Sequence, residues 1–116
     1  MTPNRLVRRD GDAEIIGSLH ALGDGLFIPC GPHGAPLASP MSSDDAELYV
    51  RRYGLESLMD TWLFQQGEEQ YSCKIIEARP GYARYQITDY GHADAFTIQE
   101  SHDPANELAW SRHDRP

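Results

Sequence analysis

Three β-like segments joined by very short turns constrain the fold of this chain more than any other feature. The segments QYSCKIIEA (residues 70–78), YARYQITDY (residues 82–90) and ADAFTIQ (residues 93–99) have the alternation or the β-branched and aromatic content that is typical of strands. An Arg-Pro-Gly turn and a Gly-His turn separate them, and turns this short join antiparallel strands. The second half of the chain therefore predicts an antiparallel β-meander.

The clearest helix signal lies in the middle of the chain. Ser42 and Asp45 have the spacing of a capping box, and the acidic residues Asp44 and Asp45 stand where the helix macrodipole favours negative charge. Arg51 and Arg52 stand near the opposite end, and Gly54 follows as a stop signal. The apolar stripe of this helix consists of Ala46, Tyr49, Val50 and Tyr53.

The remaining segments are shorter. Residues 14–30 fit either a helix or a hairpin with a Gly-Asp-Gly turn, and we favour the hairpin because Gly17 is unfavourable inside a helix. Residues 31–41 contain two Gly and three Pro and predict an irregular loop. A short helix to about Met59, a strand at TWLFQQ and a short helix after Asp103 complete the pattern, with Trp110 packed on the sheet.

Together these patterns predict an α+β domain in which an antiparallel β-meander of about four to six strands is backed by one or two α-helices. A chain of 116 residues corresponds to a single domain, residues 1–116. Residues 1–12 and 112–116 are expected to be flexible.

The charge balance limits the classes of partner. The chain has 10 basic and 18 acidic side chains, a formal charge of −8, which argues against direct binding to nucleic acid. It has no apolar run long enough for a membrane span and no apolar signal-peptide core near its start. Two cysteines are too few for a disulfide scaffold, so we expect a cytoplasmic protein that does not bind membranes.

Two arrangements of cysteine and histidine are candidates for redox chemistry or metal binding. Cys30-Gly31-Pro32-His33 resembles the Cys-Gly-Pro-Cys motif of thioredoxin-type proteins, but the second cysteine is replaced by His33 and no helix can follow directly. A weak candidate for a zinc site combines four ligands. They are Cys30, His33, Cys73 and His92. The simpler interpretation, a buried Cys73 and a turn residue His92, is favoured, and no metal or other cofactor is expected.

The chain shows no motif that predicts catalysis. Gly-x-Ser-x-Gly and a Gly-rich phosphate loop are both absent, and the histidines are scattered. We therefore expect a protein that is not an enzyme.

The leading hypothesis is a non-enzymatic protein-interaction or inhibitor-type accessory protein of bacterial or phage (mobile-element) origin. Its size and charge are similar to those of immunity proteins and of inhibitors that imitate DNA charge, which suggests a protein partner, for example a basic nucleic-acid-handling protein. Two candidate surfaces carry this hypothesis. They are the acidic set Asp44, Asp45, Glu47, Glu68 and Glu69, and the strand face with Tyr82, Arg84 and Tyr90.

The alternative is a small-molecule-binding domain, monomeric or homodimeric, with an apolar and aromatic pocket between helix and sheet. The side chains expected to line this pocket are Trp62, Phe64, Tyr85 and Phe96.

Overall fold

The computed structural model describes residues 4–111, which form two antiparallel sheets and one main helix. The first sheet has the order β1-β2-β3-β4 and the second has the order β8-β7-β6-β5-β9. The elements are β1 (Asn4–Arg8), β2 (Ile15–Gly23), β3 (Leu26–Cys30), β4 (Met41–Ser42), α1 (Ser43–Tyr53), a 3₁₀ helix (Glu56–Met59), β5 (Thr61–Gln66), β6 (Glu69–Arg79), β7 (Tyr82–Ile87), β8 (Ile98–Ser101), α2 (Pro104–Glu107) and β9 (Leu108–Trp110). The predicted α+β class and the meander, β5 to β8, are confirmed.

The first sheet is built on the hairpin predicted for residues 14–30. Strands β2 and β3 pair antiparallel, and the backbone of Gly23, Asp24 and Gly25 adopts positive φ angles in the turn. Helix α1 covers one face of this sheet and buries Ala46 and Val50 in a small core. That core also contains Val7, Ile16 and Leu19.

The ends of α1 agree with the sequence signals. The Ser42 side chain accepts a hydrogen bond from the Asp45 amide at 3.2 Å, as an N-terminal cap does. Gly54 ends the helix, but its φ of −53° is not left-handed. A Cβ atom at Gly54 would lie 2.1 Å from the Ile16 carbonyl oxygen, so glycine is needed here for close approach of helix and sheet.

The second sheet carries the larger core. Trp62, Phe64, Cys73, Ile87 and Trp110 all lie in it, which confirms that Trp110 packs on the sheet. Tyr49 and Tyr53 of α1 also pack against this core, so the helix contacts both apolar clusters. Within residues 4–111 no helix has the length and apolar character needed to cross a membrane.

The segment between β7 and β8 differs from the prediction. Strand β7 ends at Ile87 rather than continuing to Tyr90, and residues 93–96 form turns rather than a strand. The reason is local: the Asp89 side chain accepts from the Gly91 amide at 2.9 Å, and the His92 ring accepts from the Asp94 amide at 2.9 Å. These side-chain bonds to the backbone replace the strand ladder.

The structure near the chain termini also differs in part from the prediction. Residues 4–8, which fall in the segment expected to be flexible, form strand β1 and pair with β2. Residues 1–3 and 112–116 lie outside the described residues. Strands β1, β4 and β9 were not predicted, because each is short and is held only by its pairing with one other strand. These pairs are β1 with β2, β4 with β3 and β9 with β5.

Candidate interaction surface

The connection between β7 and β8 is a structured loop. The Phe96 amide donates to the Ile87 carbonyl at 2.7 Å, and the Thr97 side chain donates to the Asp94 carbonyl at 2.7 Å. His92 Nε2 lies 2.6 Å from Gln66 Oε1, which ties the loop to the end of β5. The loop therefore holds its side chains in fixed positions.

Three large apolar side chains of this region are turned to solvent. Tyr90 is 87% exposed, Phe96 is 52% exposed and Ile98 is 56% exposed. The Tyr90 and Phe96 rings meet edge to face with centroids 5.2 Å apart. None of the three belongs to either apolar core. We call Tyr90, Phe96 and Ile98 the edge patch.

The backbone of Phe96 adopts φ +70°, a left-handed conformation that is uncommon for a bulky residue. Such a conformation costs on the order of 1–3 kcal/mol, and the surrounding structure must maintain it. Here the strain presents an aromatic ring to solvent, where it contributes no core packing. The backbone conformation of Phe96 is maintained by hydrogen bonds of its amide to the Ile87 carbonyl and of its carbonyl to the Gln86 side chain, but core packing does not explain the exposed ring.

Tyr82, which was predicted as an interaction residue, is buried with 8% of its surface exposed, and it lies at the centre of a polar network. Its hydroxyl donates to Glu100 Oε2 at 2.6 Å, and the Arg79 guanidinium lies 3.9 Å from its ring centroid. Glu77 forms ion pairs with Arg79 and with Arg84, the latter at 3.4 Å. The hydrogen bond to Glu100 raises the pKa of the Tyr82 phenol. We call Glu77, Arg79, Tyr82, Arg84 and Glu100 the Tyr82 network.

Strand β8 joins the edge patch and the Tyr82 network into one surface. Ile98 pairs with Gln86 and Glu100 pairs with Arg84 across the β7–β8 ladder, so both lie on the same face of the sheet two residues apart. Tyr82 and Arg84 share this outer face, as the alternation predicted, whereas Ala83 and Ile87 are in the core. The prediction that Tyr90 shares the strand face is wrong, because Tyr90 follows the end of β7.

The predicted acidic set is divided between two elements. Asp44, Asp45 and Glu47 lie on α1, and Glu68 and Glu69 lie at the turn between β5 and β6. Of the acidic residues on α1, Glu47 pairs with Arg5 of β1 at 3.3 Å and with Arg51 of the same helix at 3.1 Å.

The predicted pocket residues do not line one cavity. Trp62 and Phe64 are buried in the larger core, and Tyr85 packs on Phe64 at 5.4 Å between ring centroids. Phe96, the fourth member, lies in the edge patch instead.

A cleft of about 370 Å³ lies elsewhere, between β3 and α2. It adjoins a second cleft of about 250 Å³ that continues along β9. The lining of the larger cleft is His20, Ile28, Cys30, Gly34, Pro36, Ala105 and Asn106.

The four candidate zinc ligands do not form a site. His92 has one ring nitrogen against Gln66 and accepts from the Asp94 amide with the other. Burial raises the pKa of the Cys30 thiol to about 11 and that of the Cys73 thiol to about 12, so neither is a thiolate at neutral pH. In the part of the chain from residue 4 to residue 111, no three His, Cys, Asp or Glu side chains are grouped to hold a metal ion.

His33 was predicted as a ligand and is instead fully buried. Its ring meets Trp62 edge to face at 4.5 Å, and neither ring nitrogen has a hydrogen-bond partner within the described residues. Burial lowers the pKa of His33 to about 4. His33 is therefore a neutral core residue.

Sequence reasoning missed Ile98, Glu77, Arg79 and Glu100. Ile98 was assigned to the interior of a strand, and the three charged residues gain their role only from pairing across strands. No protein-family model matches the chain, and no curated protein or solved structure shows significant similarity to it.

Proposed function

We propose that this protein is a non-enzymatic interaction domain that acts by binding a protein partner. The partner contacts the surface formed by the edge patch and the Tyr82 network. The acidic residues of α1 are not part of this surface.

One observation supports the proposal most strongly. Phe96 and Tyr90 are exposed aromatic side chains in a hydrogen-bonded loop, and Phe96 is held there in a strained conformation. Exposed apolar side chains that contact one another, as these two rings do, form the kind of contiguous patch that marks an interaction site. Aromatic residues are also enriched among the residues that contribute most to protein–protein affinity.

The Tyr82 network supports the same surface. Arginine is enriched at interfaces, and here the exposed side chains of Arg79 and Arg84 are both oriented by Glu77 before any partner arrives. Side chains that are already ordered lose less conformational entropy on binding.

Affinity capture with matched baits tests the proposal. Wild-type protein, Tyr90→Ala and Met59→Ala are used as baits in a lysate of the organism that encodes the chain. Met59 is 75% exposed and lies on the 3₁₀ helix that leads into β5, and β5 is separated from β8 by β6 and β7 in the second sheet. We expect the same partner on the wild-type and Met59→Ala baits, and at least a tenfold weaker interaction of that purified partner with Tyr90→Ala.

Unchanged affinity of Tyr90→Ala and Phe96→Ala would contradict the proposed surface. Equal losses in Tyr90→Ala and Met59→Ala would contradict it as well, because the effect would then not be specific to the edge patch. Melting curves of all baits establish that each variant is folded.

The cleft between β3 and α2 supports a second candidate function, the binding of a small ligand. Its volume of about 370 Å³ is within the range of small-molecule sites, and its lining combines apolar residues with the Asn106 amide. A bound molecule detected by native mass spectrometry, and lost from an Ala105→Trp variant that fills the cleft, would favour this function. A bare polypeptide mass would favour the interaction domain.

A further inference from the structure

Strand β8 has an open edge. It is the terminal strand of the second sheet, and among residues 4–111 no other strand pairs with its outer side. The Ile87 amide donates to the Thr97 carbonyl at 3.1 Å, which sets the alternation of the ladder. Hydrogen-bonded pairs recur at every second residue, so Gln99 and Ser101 direct their backbone groups to β7.

The intervening residues, Ile98 and Glu100, therefore direct their amides and carbonyls away from the sheet. No hydrogen bond within the described part of the chain uses these outward groups. A row of unpaired backbone amides and carbonyls at the edge of a sheet, here called the free row, is a template for another strand. The Ile98 side chain belongs to the edge patch, and the Glu100 side chain belongs to the Tyr82 network, so the free row runs through the proposed binding surface.

We infer that the partner binds by adding an extended, basic segment to strand β8. The inference rests on the proposed function and names the mode of binding at the same surface. Backbone hydrogen bonds to Ile98 and Glu100 would supply much of the affinity, and alternate side chains of the segment would contact the edge patch. A lysine or arginine of the segment placed near Glu100 would find an exposed carboxylate.

The charge around β8 selects this occupant over a second copy of the chain. From Asp89 to Glu107 the sequence has five acidic residues and no lysine or arginine. On β8 itself only Glu100 is acidic, and Arg79 and Arg84 of the same surface are both ion-paired with Glu77. Two copies paired through β8 would bring the acidic segments that flank this strand close together, and the repulsion between these segments would disfavour the pair. A basic segment would instead be attracted by the same charges.

A designed peptide and two variants at one position test the inference. The probe is a fluorescein-labelled ten-residue peptide that alternates lysine with valine and threonine. The comparison peptide has glutamate in place of each lysine. Ile98→Ala and Ile98→Pro both remove the isoleucine side chain, but only Ile98→Pro also removes the outward amide. Proline is tolerated on an edge strand when its nitrogen faces away from the ladder.

We expect the lysine peptide to bind and the glutamate peptide not to bind in fluorescence anisotropy at low salt. Ile98→Pro should bind the lysine peptide about tenfold more weakly than Ile98→Ala, because one hydrogen bond is lost and its acceptor remains unpaired. Amide hydrogen exchange of the wild-type complex provides a readout that needs no variant. The amides of Ile98 and Glu100 should become protected, whereas that of Gln99 already pairs with β7.

Equal affinities of Ile98→Pro and Ile98→Ala, together with unprotected Ile98 and Glu100 amides, would overturn strand addition. If the captured partner still depended on Tyr90 in that case, the proposed function would stand and only the binding mode would be wrong. Binding of both peptides with equal affinity would overturn the charge argument. A homodimer that Ile98→Pro converts to a monomer would show that a second copy occupies the edge.

Discussion

Helix α1 and the segment from Asp89 to Ser101 both carry acidic and aromatic residues, but the fold uses them differently. On α1 the Ser42 hydroxyl caps the helix, Glu47 pairs with Arg5 and Arg51, and Tyr49 and Tyr53 pack against the larger core. In the second segment Tyr90 and Phe96 contact each other in solvent, outside both cores.

This difference separates residues that stabilise the molecule from residues available to a partner. On α1, Glu47, Tyr49 and Tyr53 have partners within the fold, so their chemistry is explained by stability. The exposed aromatic rings and the open edge of β8 have no such explanation. Substitutions should therefore affect stability in the first region and binding in the second.

The largest effect is expected where α1 meets the first sheet. In Gly54→Ala the new methyl group would lie 2.1 Å from the Ile16 carbonyl oxygen and 2.7 Å from the Val50 carbonyl oxygen. Both neighbours are backbone atoms that cannot move without shifting helix or strand. We expect a loss of about 3 kcal/mol or more in the free energy of unfolding, or no folded protein.

Gly91→Ala is the matched control in the second region. Its new methyl group would meet only the end of the Asp89 side chain, at 3.2 Å. Urea unfolding followed by circular dichroism should show a change within about 0.5 kcal/mol. A Gly54→Ala variant as stable as Gly91→Ala would contradict the described contact between α1 and β2.

The second largest effect on stability is expected from a change in pH. Burial lowers the pKa of His33 to about 4, whereas the unfolded chain titrates near the ordinary value of 6.5. Below pH 6.5 the unfolded state binds a proton that the folded state does not, so stability falls as the pH decreases towards 4. The loss attributable to this residue is about 3 kcal/mol at pH 4.

His33→Phe keeps a ring against Trp62 and removes the titration. Urea unfolding between pH 7 and pH 4 should give a steeper loss of stability in the wild type than in His33→Phe. Parallel pH profiles for the two proteins would show that His33 is not buried as a neutral side chain.

A smaller effect is expected at the helix cap. In Ser42→Ala the Asp45 amide loses its acceptor, which should cost about 1 kcal/mol of unfolding free energy. The double change Ser42→Ala with Asp45→Ala should cost somewhat more, because it also removes a negative charge from the first helical turn. Partner binding should remain unchanged in both, and a Ser42→Ala melting curve identical to that of the wild type would contradict the cap.

The smallest change in stability is expected at Phe96. Asparagine tolerates a left-handed backbone better than phenylalanine does, so Phe96→Asn should leave the stability unchanged or raise it by up to about 1 kcal/mol. The same variant should bind the partner at least tenfold more weakly. A clear loss of stability in Phe96→Asn would instead assign Phe96 a structural role.

The locally determined elements could be predicted from the sequence. The cap at Ser42, the stripe that includes Ala46 and Val50, and the Gly-Asp-Gly turn of the first hairpin are signals contained within a few residues. The outer face with Tyr82 and Arg84 followed from strand alternation alone.

The remaining features depend on contacts that a single sequence does not reveal. Strand β1 is held in place by its pairing with β2. In the loop from Asp89 to Thr97, hydrogen bonds from side chains to the backbone replace the strand that the sequence pattern predicts. The left-handed backbone conformation of Phe96 has no signal in the sequence, because that conformation is usually expected of glycine or asparagine.

Hydrogen exchange of the chain with and without its captured partner tests the central claim most directly, because it compares both regions in one experiment. We expect new protection from exchange in residues 88–101, including the outward amides of Ile98 and Glu100. Exchange in residues 43–53 of α1 should be unchanged. Protection confined to α1, with residues 88–101 exchanging as in the free protein, would contradict the proposed binding surface.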